Sequence, residues 1–362
     1  MNTKMTELDE ISKNDIIKKA LKHKLKYRHK IGLSKKIKFG IEIEALGNSF
    51  IETLKKHKDV FYYQNAPMGK PRNIYSNNNW ILYHEPTLRD ESGRGIFPSY
   101  QDLRKININE ETNWKTATLP YYNGGEITSP ILIDNLACWK DIKKMLKYMK
   151  KNIKNLRVND SCSCHTHFDI GIFKEDPLTL YSFIILLAEC ENVLSRFYSG
   201  EFINLRTAVN EWAKPIKPLI RFGIDFDMDT SSYKSLIRSI YLGNPVMKEY
   251  SFDFWEIYNN FYINLSSTFE NRLPNGTLEK TIIQNNIMLM GYLMEYVAKG
   301  KYDLEQGKYN LRKMDKCKIE DPFYVADMLP NDDFKLDFLT QYYKDGSYTK
   351  SKKLVKSKRA FY

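Results

Sequence analysis

Cysteine is scarce: 362 residues contain five, Cys138, Cys162, Cys164, Cys190 and Cys317. An odd, sparse set excludes a disulfide framework as the basis of the fold and points to a reducing, cytoplasmic setting. Long apolar runs are also missing. The longest strongly apolar stretch, Phe183 to Ala188, falls far short of the roughly 20 residues that a bilayer span needs. The first residues are polar and basic, so no secretory signal is expected. The chain has no G-x-x-x-x-G-K-[ST] loop, no G-x-G-x-x-G after a strand and no G-x-S-x-G elbow. Any ATP chemistry must therefore use a different nucleotide-binding fold. No internal repeat or flexible linker stands out.

What is present is a globular composition, 42% hydrophobic, 28% charged and 14% aromatic, enough to bury a large core. The formal charge of +12 first suggests a polyanionic partner. Its distribution changes that reading. Residues 1–39 carry 12 basic and 4 acidic side chains, residues 344–362 carry 7 and 1, and the body between carries 37 and 39. The excess sits in the two ends, while the body is nearly neutral. Each end reads as a solvated helix or tail, or as an electrostatic arm. Ile16, Ile17, Leu21 and Leu25 recur at near-helical spacing in the first end and predict a short amphipathic helix. Three regions are expected: a basic helical arm over 1–35, a nearly neutral body over 36–300 and a helical extension with a basic tail over 301–362.

Periodicity predicts strands at 36–44, 80–83, 161–171 and 262–272. It predicts helices at 138–156, from Asp176-Pro177 to about Tyr198, and at 278–299 closed by Gly300. Strands separated by long helical insertions indicate an α+β fold with an antiparallel or mixed sheet.

Four segments alternate apolar residues with an unusual polar face. These faces are Lys38, Gly40, Glu42 and Glu44; Glu126 and Thr128; Ser161, Ser163, His165, His167 and Asp169; and Asn264, Ser266, Thr268, Glu270 and Arg272. A solvent-facing surface of so lysine-rich a chain should be rich in lysine, and these are not. Faces of Glu, His, Ser, Thr and Asn fit convergence on one polar site. Clustered carboxylates call for a compensating charge, for which hard divalent cations are the usual answer. With Mg²⁺ or Mn²⁺ the natural guest is a phosphate, and Arg272 offers a fork for its oxygens. The Cys162–His167 cluster also raises a zinc site. Strand parity opposes that, since Cys162 and Cys164 fall on the face opposite His165 and His167. The acidic loop Asp225-Phe226-Asp227-Met228-Asp229 reads as solvated, with amine recognition as its alternative.

These segments resemble the amidoligases of the glutamine synthetase and glutamate–cysteine ligase superfamily. The strand motif F-G-x-E-x-E matches Phe39-Gly40-Ile41-Glu42-Ile43-Glu44. W-x-x-x-x-D-x-S-L matches Trp80 to Leu88, with Glu85 in place of Asp. G-x-E-[IV]-x-S-P-[IL] matches Gly124 to Ile131. S-C-G-x-H-V-H matches Ser161 to His167, with Ser163 in place of Gly. A final asparagine, Asn264, precedes T-x-E-x-R-x-x-x-G-[ST]-L, which matches Thr268 to Leu278. The resemblance implies a glutamine synthetase-like half-barrel, a curved and mostly antiparallel sheet backed by helices. It also implies an ATP-dependent carboxylate–amine ligase, acting through an acyl phosphate on an amine and a carboxylate that can belong to a peptide or protein. Carried over, Glu42, Glu44, Glu126, His165 and Glu270 hold Mg²⁺ or Mn²⁺. Arg272 contacts the transferring phosphoryl group. His167 and Asn264 position phosphate or substrate, and Glu85 shapes the nucleotide or amine site. The alternatives are a non-enzymatic nucleic-acid or anionic-surface binding protein working through its basic ends and, with less support, a metal-dependent phosphohydrolase.

Overall fold

In a computed structural model the described residues are 3–62, 79–83, 85, 87–90, 96, 123–199, 213–224, 228–240, 250–254, 257, 268–313 and 321–343. In chain order they form α1 (Thr3–Lys22), β1 (Lys38–Asn48), α2 (Phe50–Leu54), β2 (Val60–Tyr62), β3 (Trp80–Tyr83), β4 (Gly124–Thr128) and β5 (Leu132–Ile133). Then come α3 (Leu136–Asn152), β6 (Lys154–Arg157), β7 (Thr166–Asp169), a 3₁₀ turn (Ile170–Phe173) and α4 (Pro177–Ser199). These are followed by α5 (Lys217–Ile224), α6 (Tyr233–Ile240), β8 (Phe252–Asp253) and β9 (Thr268–Asn271). The last helices are α7 (Lys280–Ala298), α8 (Leu304–Arg312), α9 (Pro322–Ala326) and α10 (Asp332–Tyr343).

The fold is mixed α/β, with the strands in one open sheet ordered β2-β3-β4-β1-β7-β9-β8. The short strands β5 and β6 also pair with β1. Every pairing is antiparallel except β2 with β3. β1 is the spine because strict alternation gives it one wholly apolar face: Phe39, Ile41, Ile43 and Ala45 are all buried. Pro130 has no N–H to give the ladder beside β1. Ser129 compensates, donating its N–H to Ile41 O (2.8 Å) and accepting the Ile41 N–H on its hydroxyl (3.0 Å).

Behind the sheet the core centres on aromatic side chains. Phe269 of β9 stacks on Phe168 of β7 and on Phe254, with ring centroids 5.6 Å apart in both pairs, and meets Phe183 of α4 edge-on. Helix α4 is long and apolar enough to cross a membrane by length and composition, yet it is mostly buried inside the protein. That is the pattern of a central core helix. It starts as expected, with Asp176 accepting the Leu178 N–H at 3.0 Å and Pro177 opening the helix. α7 stops at Gly300, whose φ of +68° suits glycine, and Lys301 N bonds back to Tyr296 O.

Two expectations need correction, and a third falls partly outside the described residues. The helix over 138–156 ends at Asn152, because Asn155 turns left-handed (φ +57°) and Lys154–Arg157 joins β1 as β6. The strand over 161–171 is regular only at Thr166–Asp169, the rest being a turn before it and a 3₁₀ turn after it. The strand over 262–272 is seen at Thr268–Asn271, its first part lying outside the described residues. In α1, Ile16 and Leu21 are exposed and Ala20 is fully buried, while Leu25 lies past the helix end. The docking face is set by α10, where the Thr340 hydroxyl donates to Ala20 O.

The basic first segment is bound into the body. Asp337, nearly inaccessible on α10, accepts from the Arg28 guanidinium and lies 2.8 Å from His23 Nε2. Lys13 pairs with Asp321. Part of the amino-terminal positive charge is thus matched internally. The basic tail, 344–362, lies outside the described residues.

Because Phe269 joins Phe168 of β7, Phe254 and Phe183 of α4 through one ring, Phe269→Ala should lower unfolding free energy by about 3–5 kcal/mol, measured by urea denaturation.

Candidate active site

The face of the sheet that turns away from this aromatic core is lined with polar groups, and strand register brings them together. Across the ladders Glu44 faces Glu126, Gly40 faces His167, His167 faces Glu270, and Glu270 faces Asp253. Residues directly opposite in a sheet lie close enough for their side chains to interact. Five strands thus contribute to one polar stripe.

Two clusters result. In the first, Glu42, His167 and Glu270 each present a ligand atom, all within 4.8 Å of one another. His167 Nε2 lies 3.1 Å from Glu42 Oε1. His165 stands alongside, its Nδ1 2.9 Å from Glu270 and 3.5 Å from Glu42. Arg272 donates to Glu270 Oε1 at 2.6 Å. In the second cluster the carboxylates of Glu44, Glu85 and Glu126 converge within the same 4.8 Å limit. Each is oriented by a local donor: Ser163 N–H to Glu44 (2.7 Å), Thr87 N–H and hydroxyl to Glu85 (3.0 and 2.5 Å), and Thr128 hydroxyl to Glu126 (2.9 Å). Glu42 and Glu44 are successive same-face positions of β1, so the two clusters are about 7 Å apart along the strand.

Close backbone approach at glycine makes this possible. A Cβ at Gly125 would come within 2.9 Å of both Tyr83 O and Ile51 Cδ1, so a side chain there would push Glu126 away from β3. A Cβ at Gly276 would come within 2.6 Å of Cys162 Cβ. That contact seats the turn after β9 on the turn leading to His165, where Gly276 N–H also donates to Cys162 O at 2.9 Å.

The clusters differ in electrostatics. Burial raises the pKa of Glu44, and the neighbouring Glu85 raises it further against the partial relief from His165. Burial also opposes ionisation of Glu270, but Arg272 and the adjacent imidazoles overcome it and hold that carboxyl well below the usual range. Burial and Arg272 both disfavour a charged His165, yet contacts with Glu270 and Glu42 push its pKa up to about 9. The first cluster therefore carries its own positive charge. The second consists of three carboxylates, with His165 acting on Glu44 from the side.

Carboxylate oxygens with one imidazole form a hard donor set that fits Mg²⁺ or Mn²⁺. Cys162 and Cys164 join neither cluster. Both are buried with the core, and burial pushes each thiol up to about 12, away from the thiolate that zinc prefers.

Of the nine site residues expected from sequence, Glu42, His167, Glu270, Glu44, Glu85 and Glu126 form these two clusters, with His165 and Arg272 beside the first. Asn264 lies outside the described residues, as do Asp225 and Asp227 of the acidic loop. The imidazole in the converging triad is that of His167, whereas the sequence reading favoured His165 as the ligand. Asp169 serves the fold instead, accepting the Gly171 N–H at 2.7 Å and meeting Lys38 at 3.5 Å. Sequence reasoning missed Asp253, which is buried opposite Glu270 and acts electrostatically on Arg272. Its only signal is the brief alternation Phe252-Asp253-Phe254.

Residues 35–294 match the family described as "Putative amidoligase enzyme". The chain belongs to this family. The matched span holds every carboxylate, imidazole and guanidinium of both clusters. Among curated proteins, none matches the chain. Family membership makes this amidoligase an amide-forming enzyme by its class, and the two clusters are its candidate catalytic centre.

With a chelator present, His165 generates a pH dependence whose sign follows from its raised pKa. The stabilisation is complete below the unfolded value of 6.5 and is lost as pH rises through about 9. Unfolding free energies measured across that window should fall in the wild type more steeply than in His165→Gln.

Proposed function

We propose that this amidoligase is an ATP- and Mg²⁺-dependent carboxylate–amine ligase with a glutamine synthetase-like catalytic fold. In this reading it forms an amide or isopeptide bond through an acyl phosphate and releases ADP and phosphate. The observation that carries the reading is the pairing of two adjacent acidic clusters with a guanidinium on one sheet face of a family member.

The chemistry requires this arrangement. A carboxylate is a poor electrophile, and phosphorylation by ATP converts its oxygen into a leaving group. Glu42, His167 and Glu270 would hold one divalent ion, and Glu44, Glu85 and Glu126 another. Bound there, Mg²⁺ or Mn²⁺ supplies positive charge that offsets the triphosphate oxygens. Arg272 donates to Glu270, which holds its guanidinium at the polar face, where it can meet a transferring phosphoryl group. His165, charged at neutral pH, keeps Glu270 ionised and adds a second cation beside the same oxygens. Glu270 couples metal site and arginine, since it belongs to both. The amine and carboxylate substrates, whether small or part of a peptide or protein, would enter over the same face.

Incubation with Mg²⁺-ATP and panels of amines and carboxylates should release ADP in an acceptor-dependent way. Glu42→Gln and Glu126→Gln should each lower turnover by about 100-fold or more while the protein stays folded. Calorimetry showing no nucleotide binding at millimolar Mg²⁺ would overturn the proposal.

Metal content gives a separate check. Titration with Mn²⁺, followed by electron paramagnetic resonance, should show two sites in the wild type. Glu126→Gln should weaken one of them by about 10-fold or more, since removing a supporting group of a metal site has costs of that order.

A further inference from the structure

Behind the catalytic sheet lies a buried carboxylate that the mechanism does not use. Glu191, on α4, is fully inaccessible. Its Oε1 accepts the Ile216 N–H at 2.8 Å and the Ser251 hydroxyl at 2.5 Å, and its Oε2 accepts the Lys217 N–H at 3.0 Å. Ile216 and Lys217 open α5, so the carboxylate satisfies two N–H groups that a helix start leaves without partners.

The third partner leads to the site. Ser251, also fully buried, is held by all three of its polar groups. Its hydroxyl goes to Glu191, its N–H to Lys214 O (2.7 Å), and its carbonyl accepts the N–H of Arg272 at 2.9 Å. β8 begins at the next residue and places Asp253 opposite Glu270. β8 is two residues long and ends the described strand order, and so short an edge strand frays unless something anchors it. Arg272 sits just past the end of β9, beside that edge.

We propose that Glu191 is a positioning residue for Arg272, acting through Ser251 by clamping the β8 edge to α4 and the start of α5. The helix layer then sets where the guanidinium points, although Glu191 touches no reacting group. The catalytic consequence rests on the role given to Arg272 above, whereas the clamp itself rests only on these hydrogen bonds.

The test uses the full chain. In Glu191→Gln the amide NH₂ must face a backbone N–H that the carboxylate accepted. Amide hydrogen exchange in peptides covering 250–254 and 268–273 should speed up by about 10-fold or more, as expected for losing a buried hydrogen-bond partner. Mn²⁺ affinity should stay within about 2-fold, and kcat should fall about 10-fold with little change in KM for ATP, because misaimed positioning costs rate more than binding. Ser251→Ala should show the same pattern more weakly, and it decides the matter if the first variant does not fold. Glu189→Gln is the matched control. Glu189 is equally buried on α4 but bonds Tyr302 and Asn310, away from β8. Its loss should lower thermal stability and leave both the exchange at 250–254 and kcat unchanged.

Unchanged exchange at 250–254 in both Glu191→Gln and Ser251→Ala would overturn the clamp, as would an equal kcat loss in Glu189→Gln. If the wild type turns over no ATP, the ligase reading fails instead, and the exchange data still judge the clamp.

Discussion

Carboxylates placed side by side out of water cannot all stay ionised without a cation among them. The polar face of this sheet is built around that constraint. At Glu270 the protein supplies the cation itself, through Arg272 at 2.6 Å and His165 at 2.9 Å, and the carboxyl is held firmly ionised. At Glu44, Glu85 and Glu126 backbone N–H groups and hydroxyls donate to the carboxylates, and burial drives the Glu44 pKa upward with only partial relief from His165. In the proposed ligase reading a divalent ion would ease this crowding of carboxylates. In that reading each cluster would hold a divalent ion, and the asymmetry adds a guanidinium and a charged imidazole beside the first.

Such a face needs a rigid frame, because a shift of about 1 Å in a strand would loosen the contacts between the converging side chains. β1 provides it by pairing along its length with β4, β5, β6 and β7 while its apolar side is sealed by the core. Phe269 and its aromatic neighbours fix β7 against β9 from behind, which keeps His167 opposite Glu270. Gly125 and Gly276 let adjacent backbones come close enough for the carboxylates and imidazoles to meet. Core packing and site geometry are therefore two sides of the same strands.

Alternation made much of this legible. A strand repeats every two residues, so Glu42 with Glu44, His165 with His167 and Glu270 with Arg272 could be assigned to shared faces with no knowledge of pairing. The caps of α4 and α7 were readable for the same reason, since Asp-Pro and a terminal glycine act through local backbone geometry. The helix over 138–156 was overextended because Ile153 and Leu156 keep helical spacing, yet Asn155 turns the chain and β1 offers Lys154–Arg157 a strand partner. The apolar spacing of Ile16 and Leu21 misled in a similar way, because the face that α1 buries was chosen by α10.

Taken alone, the sequence determined which residue types share a strand face, that the charge excess lies at the ends, and that the chain carries the ordered motifs of an amidoligase. Those are properties of neighbours along the chain. Tertiary structure decided everything that depends on register between distant segments. It put His167 rather than His165 into the converging triad, drew Glu85 to Glu44 and Glu126, set Asp253 opposite Glu270, and tied Glu191 to Ser251. Hydrogen bonding across a sheet, and packing of helices behind it, join residues with no fixed spacing in the chain. Only the folded ladder says who faces whom.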